Sequence, residues 1–457
     1  MLIISLSLFC SGLLKSQSLS PEISEFLAKP ELKGASVALL VQNIESGQSL
    51  QKYQSDLLLL PASSIKSLST LTALRLFGAD HSFKTRLILD GELGMNGVWI
   101  GDLVVESDGD PSFLSPRFNQ NPLALIADWK LLLEQMGIAG IKGQVLVLDE
   151  YFKGYPVADG VVNEDVGNYY GGGAFGFNCF DNTYSLEFNT LKGGENAEFV
   201  AYKGIDPILT FTTDVGINAR GKDLAYVMAL PYSSEIFVKG SLPARAGSIS
   251  IEGAYPDPAR AFANYLYSNL SKQGIIIIAK VNSERNSRLR NPRLIAEQSS
   301  PSLEEIIFET NRHSINMYAD ALFRHCGIKL GGEGEFSDSG KRIVDYWKEL
   351  EVPANGVVLQ DGSGLSRSSA VSADFIAKSL AKASDSERDI LIKAFKEISG
   401  KGNTIYYKSG YMSGVMALSG YIKSSEGEWS SFSFLVNGHQ DGASALRKEM
   451  VNLLLRL

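Results

Sequence analysis

Residues 61–66 read Pro61-Ala62-Ser63-Ser64-Ile65-Lys66, setting a hydroxyl and an amine three positions apart where a helix begins. Helical positions i and i+3 share a face, so Ser63 and Lys66 point into the same volume. The run Ser67 to Phe77 is rich in Leu, lacks Pro and Gly, and meets Gly78 as a helix end, which predicts an amphipathic helix behind the pair. A serine hydroxyl is a weak nucleophile until a base takes its proton, and a deprotonated lysine one turn away is such a base. Taken alone, the same residues also fit a capped helix with an exposed lysine.

Two further trios follow in order. Ser314-Ile315-Asn316 falls in the connection between helices expected at Ser302 to Thr310 and Met317 to Cys326. Lys408-Ser409-Gly410 falls on a strand expected at Thr404 to Met412, followed by strands Ala417 to Lys423 and Ser431 to Asn437 and an amphipathic helix from Ala443 to Leu457. Upstream of Ser63, a helix at Pro21 to Lys29 precedes a hairpin, Ala35 to Asn43 and Gln48 to Tyr53, turned at Glu45-Ser46-Gly47. From Phe83 to Ile249 the texture changes to short runs such as Thr85-Leu89, Val98-Leu103 and Gly143-Leu148, cut by Gly and Asp turns, which reads as a β-rich insert. Helical periodicity resumes at Ala259 to Lys272, followed by a strand at Ile275 to Val281.

A chain of 457 residues is too long for one ordinary core; at about 150 residues per domain it holds two or three. Hydrophobic content of 44% and charged content of 21% describe a soluble globular protein, and a net charge of −8 without any basic block argues against a nucleic-acid partner. The four histidines, His81, His313, His325 and His439, lack metal-ligand spacing, so no metal or other cofactor is expected. Residues 1–14 are apolar but too short to span a bilayer, and polar residues 15–18 follow, which reads as a secretory signal that places the mature protein in the periplasm. Bulky Leu8 and Phe9 before Cys10 argue against lipidation there. The mature chain keeps Cys179 and Cys326, for which a disulfide and two buried thiols are both open.

Some features carry competing readings. Asp361-Gly362-Ser363-Gly364 lacks the first glycine of a Gly-x-Ser-x-Gly nucleophile and reads as a turn lining the site. Asp108 and Asp110 before Pro111 read as Asx turns rather than a metal pair. The C-terminal helix carries Arg447, Lys448 and Arg456, as a membrane-surface anchor would, but its Glu449 and its Leu-rich end favour packing in the core.

Ser63-x-x-Lys66, Ser314-x-Asn316 and Lys408-Ser409-Gly410, in this order, resemble the three motifs of the penicilloyl-serine transferases. Roughly 250 positions separate Lys66 from Ser314, far more than a β-lactamase needs. An insert placed there is similar to that of the S13 peptidases, the D-alanyl-D-alanine carboxypeptidases and endopeptidases also called class C low-molecular-mass penicillin-binding proteins. Further stretches resemble that family over essentially the whole mature chain: Asp361 to Arg367, Gly101-Asp102-Leu103 with Asp108 to Pro111, Phe177-Asn178 with Asp181-Asn182, and Phe432 to Asn437.

The resemblance implies an α/β (α+β) fold, a β-lactamase/transpeptidase-like domain with a five-stranded antiparallel sheet flanked by helices. That domain would be built from residues 19–82 and 250–457 and interrupted by the insert at 83–249. It implies a serine-type DD-carboxypeptidase and DD-endopeptidase acting on peptidoglycan peptides and inhibited by β-lactams. Ser63 is then the nucleophile, Lys66 the base, Ser314 the proton relay and Asn316 the holder of Lys66 and the substrate amide. Lys408 and Ser409 bind a terminal carboxylate on a strand continued by Gly410 and Tyr411, and the N–H groups of Ser63 and Tyr411 form an oxyanion hole. Lys66 must be neutral, a state favoured by desolvation and by the Lys408 cation nearby. Ile315, Ser409 and Tyr411 depart from the family's commoner residues. A β-lactamase and a catalytically silent cell-wall-binding homologue are the competing functions. The insert is expected to select wall peptides without entering the bond chemistry, with Asp108, Asp110 and Asp181 the carboxylates to test for contact with a substrate amino group.

Overall fold

Ser36–Asn43 carries apolar residues at consecutive positions from Val37 to Val41, all buried, the signature of a strand covered on both faces. In the computed structural model, which describes residues 20–191, 195–278, 281–284, 288–440 and 442–457, this strand lies inside a six-stranded antiparallel sheet. The sheet order is Lys396–Gly400, Asn403–Met412, Val415–Ser424, Trp429–Asn437, Ser36–Asn43, Ser49–Tyr53. Alternate residues serve opposite sides. Val37, Leu39 and Val41 meet Ile23 and Phe26 of the Pro21–Leu27 helix and Leu446, Met450 and Leu453 of the Ala443–Leu454 helix. Ala38 and Leu40 face Leu68, Leu71, Phe375 and Ile376 on the other side. The C-terminal helix is therefore core, and among the described residues no helix is long and apolar enough to cross a membrane.

The sheet has six strands where five were expected. The extra strand, Lys396–Gly400, is a mostly exposed edge whose charged sequence lacks alternation, as edges that resist further pairing commonly do. The Lys66–Phe77 helix also differs from expectation. It is buried without interruption from Lys66 to Leu74 instead of showing one apolar face, so its hydroxyls must find partners inside. Ser67 Oγ donates to the Ser64 carbonyl, Ser69 Oγ to the Gly362 carbonyl, and Thr72 Oγ1 accepts from Trp347 Nε1.

The chain leaves this domain at Phe83 and returns at Ser300. The two crossings are paired, with Ser300 N donating to the Phe83 carbonyl at 2.9 Å and Phe83 N to Ser300 Oγ at 2.9 Å. Between them lie a seven-stranded mixed sheet and two three-stranded sheets. The boundary expected at Ile249 falls inside the strand Ser248–Ala254, which pairs with Thr183–Asn189. The Pro258–Lys272 helix buries Phe262, Leu266 and Leu270 against Leu103 and Val145 of the insert, and Pro292–Ser299 pairs with Lys84–Leu93. The insert's packing thus runs on to Ser299, and it includes helices, Pro122–Gln135 among them. Cys179 sits in its core and Cys326 in the core of the other domain, so these are two separate buried thiols, both pushed up by burial. The expected signal segment, residues 1–18 with Cys10, lies outside the described residues.

Arg324 joins the two parts. It is 1% exposed, and its guanidinium donates to three carbonyls: Gly334 in its own domain and Lys153 and Ala174 in the insert. Its face stacks on Phe152 and Phe336, with Cζ 4.7 and 4.8 Å from the ring centroids. Arg324→Met keeps the apolar stem but leaves those carbonyls unpaired, so it is expected to destabilise the protein by about 3 kcal/mol or more. Thermal unfolding of the variant several degrees below wild type checks this, and an unchanged midpoint contradicts it.

Candidate active site

The turn that carries Ser63 begins with strain. Ala62–Ile65 is a 3-10 turn rather than the α-helix expected from Ser63 onward, and buried Ala62 holds φ at +43°. A 3-10 turn eclipses residues i and i+3, which brings Lys66 Nζ to 2.8 Å from Ser63 Oγ. Two glycines make room for this turn. A Cβ on Gly364 would lie 2.0 Å from the Ala62 carbonyl, and one on Gly410 would lie 2.6 Å from both Ser63 N and Ser64 N. On the far strand, Asn437 Oδ1 accepts from Leu60 N at 2.9 Å while its Nδ2 donates to the Leu60 carbonyl, fixing the chain just before the turn.

Lys66 is fully buried, and its Nζ contacts Asn316 Oδ1 at 2.6 Å and the Ser363 carbonyl at 2.7 Å in addition to Ser63 Oγ. Burial pushes its pKa down to about 8, against the charges of Asp320 and Asp361, which favour the cation. The same burial, with the Asp361 charge beside it, pushes the Asp320 carboxyl up. Of the two expected causes, desolvation is the main one, and the Lys408 cation is not among the causes of the lowering. Asp320 stands four residues after Asn316, on the same helical face, and its Oδ1 accepts from Gly362 N and Ser363 N, so it shapes the turn whose carbonyl holds Lys66. That i, i+4 spacing was a signal in the sequence that the motif reading passed over.

Ser314 and Lys408 form the other half of the site. Ser314 sits at φ +59° in the interhelical connection, and its Oγ accepts from Lys408 Nζ at 3.0 Å; Lys408, 5% exposed, also donates to the Ser409 carbonyl at 2.8 Å. Burial, then the nearby Lys66, pushes Lys408 well below the ordinary lysine value. Ser409 is half-buried, and Tyr411, next along the strand from Gly410, is 60% exposed.

The insert reaches this site. Asn316 Nδ2 donates at 2.7 Å to the backbone carbonyl of Tyr170, an insert residue. The three insert carboxylates singled out as candidate substrate contacts each have partners within the protein. Asp108 takes a forked pair from Arg86, Asp110 is buried and accepts from Ser112 in an Asx turn, and Asp181 accepts from Arg117 and the Tyr318 hydroxyl.

A helix-start serine hydrogen-bonded to a buried lysine, a Ser-x-Asn connection and a Lys-Ser-Gly strand beside an antiparallel sheet define an active-serine enzyme of the penicillin-binding and β-lactamase fold class. Within that class the chain belongs to the D-Ala-D-Ala carboxypeptidase 3 (S13) family, whose model matches residues 19–457. It is a serine-type peptidase. It is 26% identical over 452 residues to a D-alanyl-D-alanine carboxypeptidase of Actinomadura sp. (strain R39), covering 93% of this chain and 82% of the relative. Its fold matches penicillin binding protein 4 (dacB) from Haemophilus influenzae with a TM-score of 0.80 at 23% identity, over 95% of this chain and 99% of that one. A second structure of that protein, complexed with a β-lactam, gives a TM-score of 0.75 at 22% identity, over 95% of this chain and 98% of that one.

Proposed function

We propose that the protein hydrolyses D-Ala-D-Ala bonds, and D-Ala cross-link bonds, of peptidoglycan outside the cytoplasmic membrane, and that β-lactams inhibit it by acylating Ser63. The observation that carries this reading is the 2.8 Å contact between Ser63 Oγ and the buried Lys66 Nζ. Neutral Lys66 takes the Ser63 proton as Oγ bonds to the D-Ala carbonyl carbon, and the amides of Ser63 and Tyr411 hold the oxyanion. Ser314, bonded to Lys408, relays to the departing amine the proton that Lys66 took from Ser63. Water then releases the acyl group and regenerates Ser63. Ser409 and the Lys408 charge attract the terminal carboxylate. Incubation with disaccharide-peptide fragments of peptidoglycan, with products identified by mass, tests the reading. Loss of a terminal D-Ala and splitting of cross-linked dimers are the expected outcomes, and intact fragments contradict it.

The reactive form has an uncharged Lys66, so acylation by penicillin is expected to rise with pH and level off above about 8, where that amine is free. Asp320→Asn removes a charge that favours the cation and therefore moves the rise to lower pH. Stopped-time labelling across pH 6 to 10 measures both, and a rate that falls over the wild-type range contradicts the assignment. Deacylation is expected to be slow; penicillin turnover at about 10 per second or faster would instead mark a β-lactamase.

A further inference from the structure

Lys66 Nζ has three oxygen neighbours: Ser63 Oγ, Asn316 Oδ1 and the Ser363 carbonyl. As an ammonium it donates one N–H to each. As a free amine it keeps two N–H groups and one lone pair, and the direction of the lone pair decides whether it serves as a base. The Ser363 carbonyl can only accept, so it keeps one N–H. Asn316 keeps the second only while its oxygen, and not its NH2, faces Lys66. A side-chain amide has both ends, and its orientation is set by its other partner. That partner is the Tyr170 carbonyl, which accepts from Nδ2 at 2.7 Å and has no proton to give, so the amide cannot turn round while Tyr170 stays in place.

We propose that the Tyr170 carbonyl, supplied by the insert, fixes the Asn316 amide and thereby aims the Lys66 lone pair at Ser63. With both N–H groups committed to acceptors, the free amine presents its lone pair to the one neighbour that carries a proton. That proton moves from Ser63 Oγ to Lys66 Nζ as Oγ bonds to the carbonyl carbon. A reversed amide would donate Nδ2–H into the lone pair and silence the base. Tyr170 is thus a positioning residue that acts through Asn316.

The loop bearing Tyr170 is built to hold still. The Tyr170 hydroxyl donates to Asp165 Oδ1 at 3.0 Å, and Asn168, 4% exposed, donates to the Glu164 carbonyl and accepts from Val227 N at 3.0 Å. Gly171 N donates to the Asn168 carbonyl, and a Cβ on Gly171 would lie 1.8 Å from the Asp165 carbonyl, so the tight return after Tyr170 requires glycine. A few residues on, Arg324 clamps the Ala174 carbonyl to the helix that Asn316 begins.

The inference rests on the acyl-enzyme reading above, and its test separates the two. Acylation of the full chain by a labelled penicillin is measured as limiting rate and half-saturating concentration. The proteins are wild type, Gly171→Ala, Tyr170→Phe, Asn316→Ala and the two loop variants combined with Asn316→Ala. Gly204→Ala, at an insert glycine where an added Cβ would meet the Tyr202 side chain first, is the control. Gly171→Ala is expected to lower the limiting rate roughly tenfold or more with little change in half-saturation, and Tyr170→Phe a few-fold. Gly204→Ala leaves both values unchanged. With Asn316→Ala in place, neither loop variant reduces the rate further, because the residue through which the loop acts is gone. Should Gly171→Ala fail to fold, the Tyr170→Phe pair carries the cycle. Equal fractional losses with and without Asn316, or no loss in any folded loop variant, would overturn the proposal while leaving the Ser63 acyl-enzyme intact. Wild-type protein that takes no label at Ser63 would overturn both.

Discussion

Lys66→Ala is expected to lower the rate of Ser63 acylation by penicillin by about 10³-fold or more. Lys66 Nζ is the basic nitrogen hydrogen-bonded to Ser63 Oγ, and the neighbouring Lys408 Nζ is turned to Ser314 Oγ and the Ser409 carbonyl. Without Lys66 the hydroxyl keeps its proton at neutral pH and attacks as a weak nucleophile. The variant also leaves Asn316 Oδ1 and the Ser363 carbonyl short of a donor, while relieving the enzyme of a buried ammonium that desolvation disfavours. These effects oppose each other, so the thermal midpoint is expected to move little. Lys66→Met, which fills the same channel, gives the same loss of rate. Gel fluorescence of the labelled protein over hours measures the residual reaction. Near-wild-type labelling of either variant would mean that another group takes the proton.

The second large effect is expected at Gly410. An alanine there places its Cβ 2.6 Å from Ser63 N and Ser64 N and 2.9 Å from the Ala62 carbonyl carbon, all backbone atoms that cannot swing aside. The strand must retreat from the nucleophile turn, and the Tyr411 amide goes with it. Because one oxyanion donor is worth about 3 kcal/mol, turnover of a D-Ala-D-Ala peptide should fall about 10²-fold or more, chiefly in kcat, since the donor acts on charge formed in the transition state. Gly414→Ala, at a strand turn with open space around it, tests whether any new methyl in this hairpin has the same effect. It is expected to reduce stability through its positive φ of +75° and to leave kcat alone. Equal kcat values for Gly410→Ala and wild type would contradict the close approach.

The parts of this architecture that were legible in the sequence are those with local cause. Ser63 and Lys66 are one helical turn apart, and Ser314-Ile315-Asn316 and Lys408-Ser409-Gly410 are contiguous, so their order survives in the primary structure. The strand Lys396–Gly400 escaped because an exposed edge needs no apolar alternation. The end of the insert was misplaced because the periodicity of Pro258–Lys272 announces a helix without saying which core receives Phe262 and Leu266. Lys66 owes its lowered pKa to its own complete burial at the start of a helix buried through Leu74, a tertiary fact invisible in a Leu-rich run that reads as amphipathic. Asp320 was within reach through its i+4 relation to Asn316. Tyr170 was not, because it acts through a backbone carbonyl that every residue type carries.

Ser63, and no other hydroxyl of this serine-rich pocket, is expected to become acylated. Ser64 is buried with its Oγ donating to the Pro61 carbonyl, and Ser363 donates to Asp361, so both stand close to Lys66 while facing away from it. Reaction with a labelled penicillin, proteolysis and fragment sequencing by mass spectrometry distinguishes the three directly. One acylated residue, Ser63, carrying one label per molecule, is the expected result. Label on Ser64 or Ser363, or a folded protein that takes none, would contradict it.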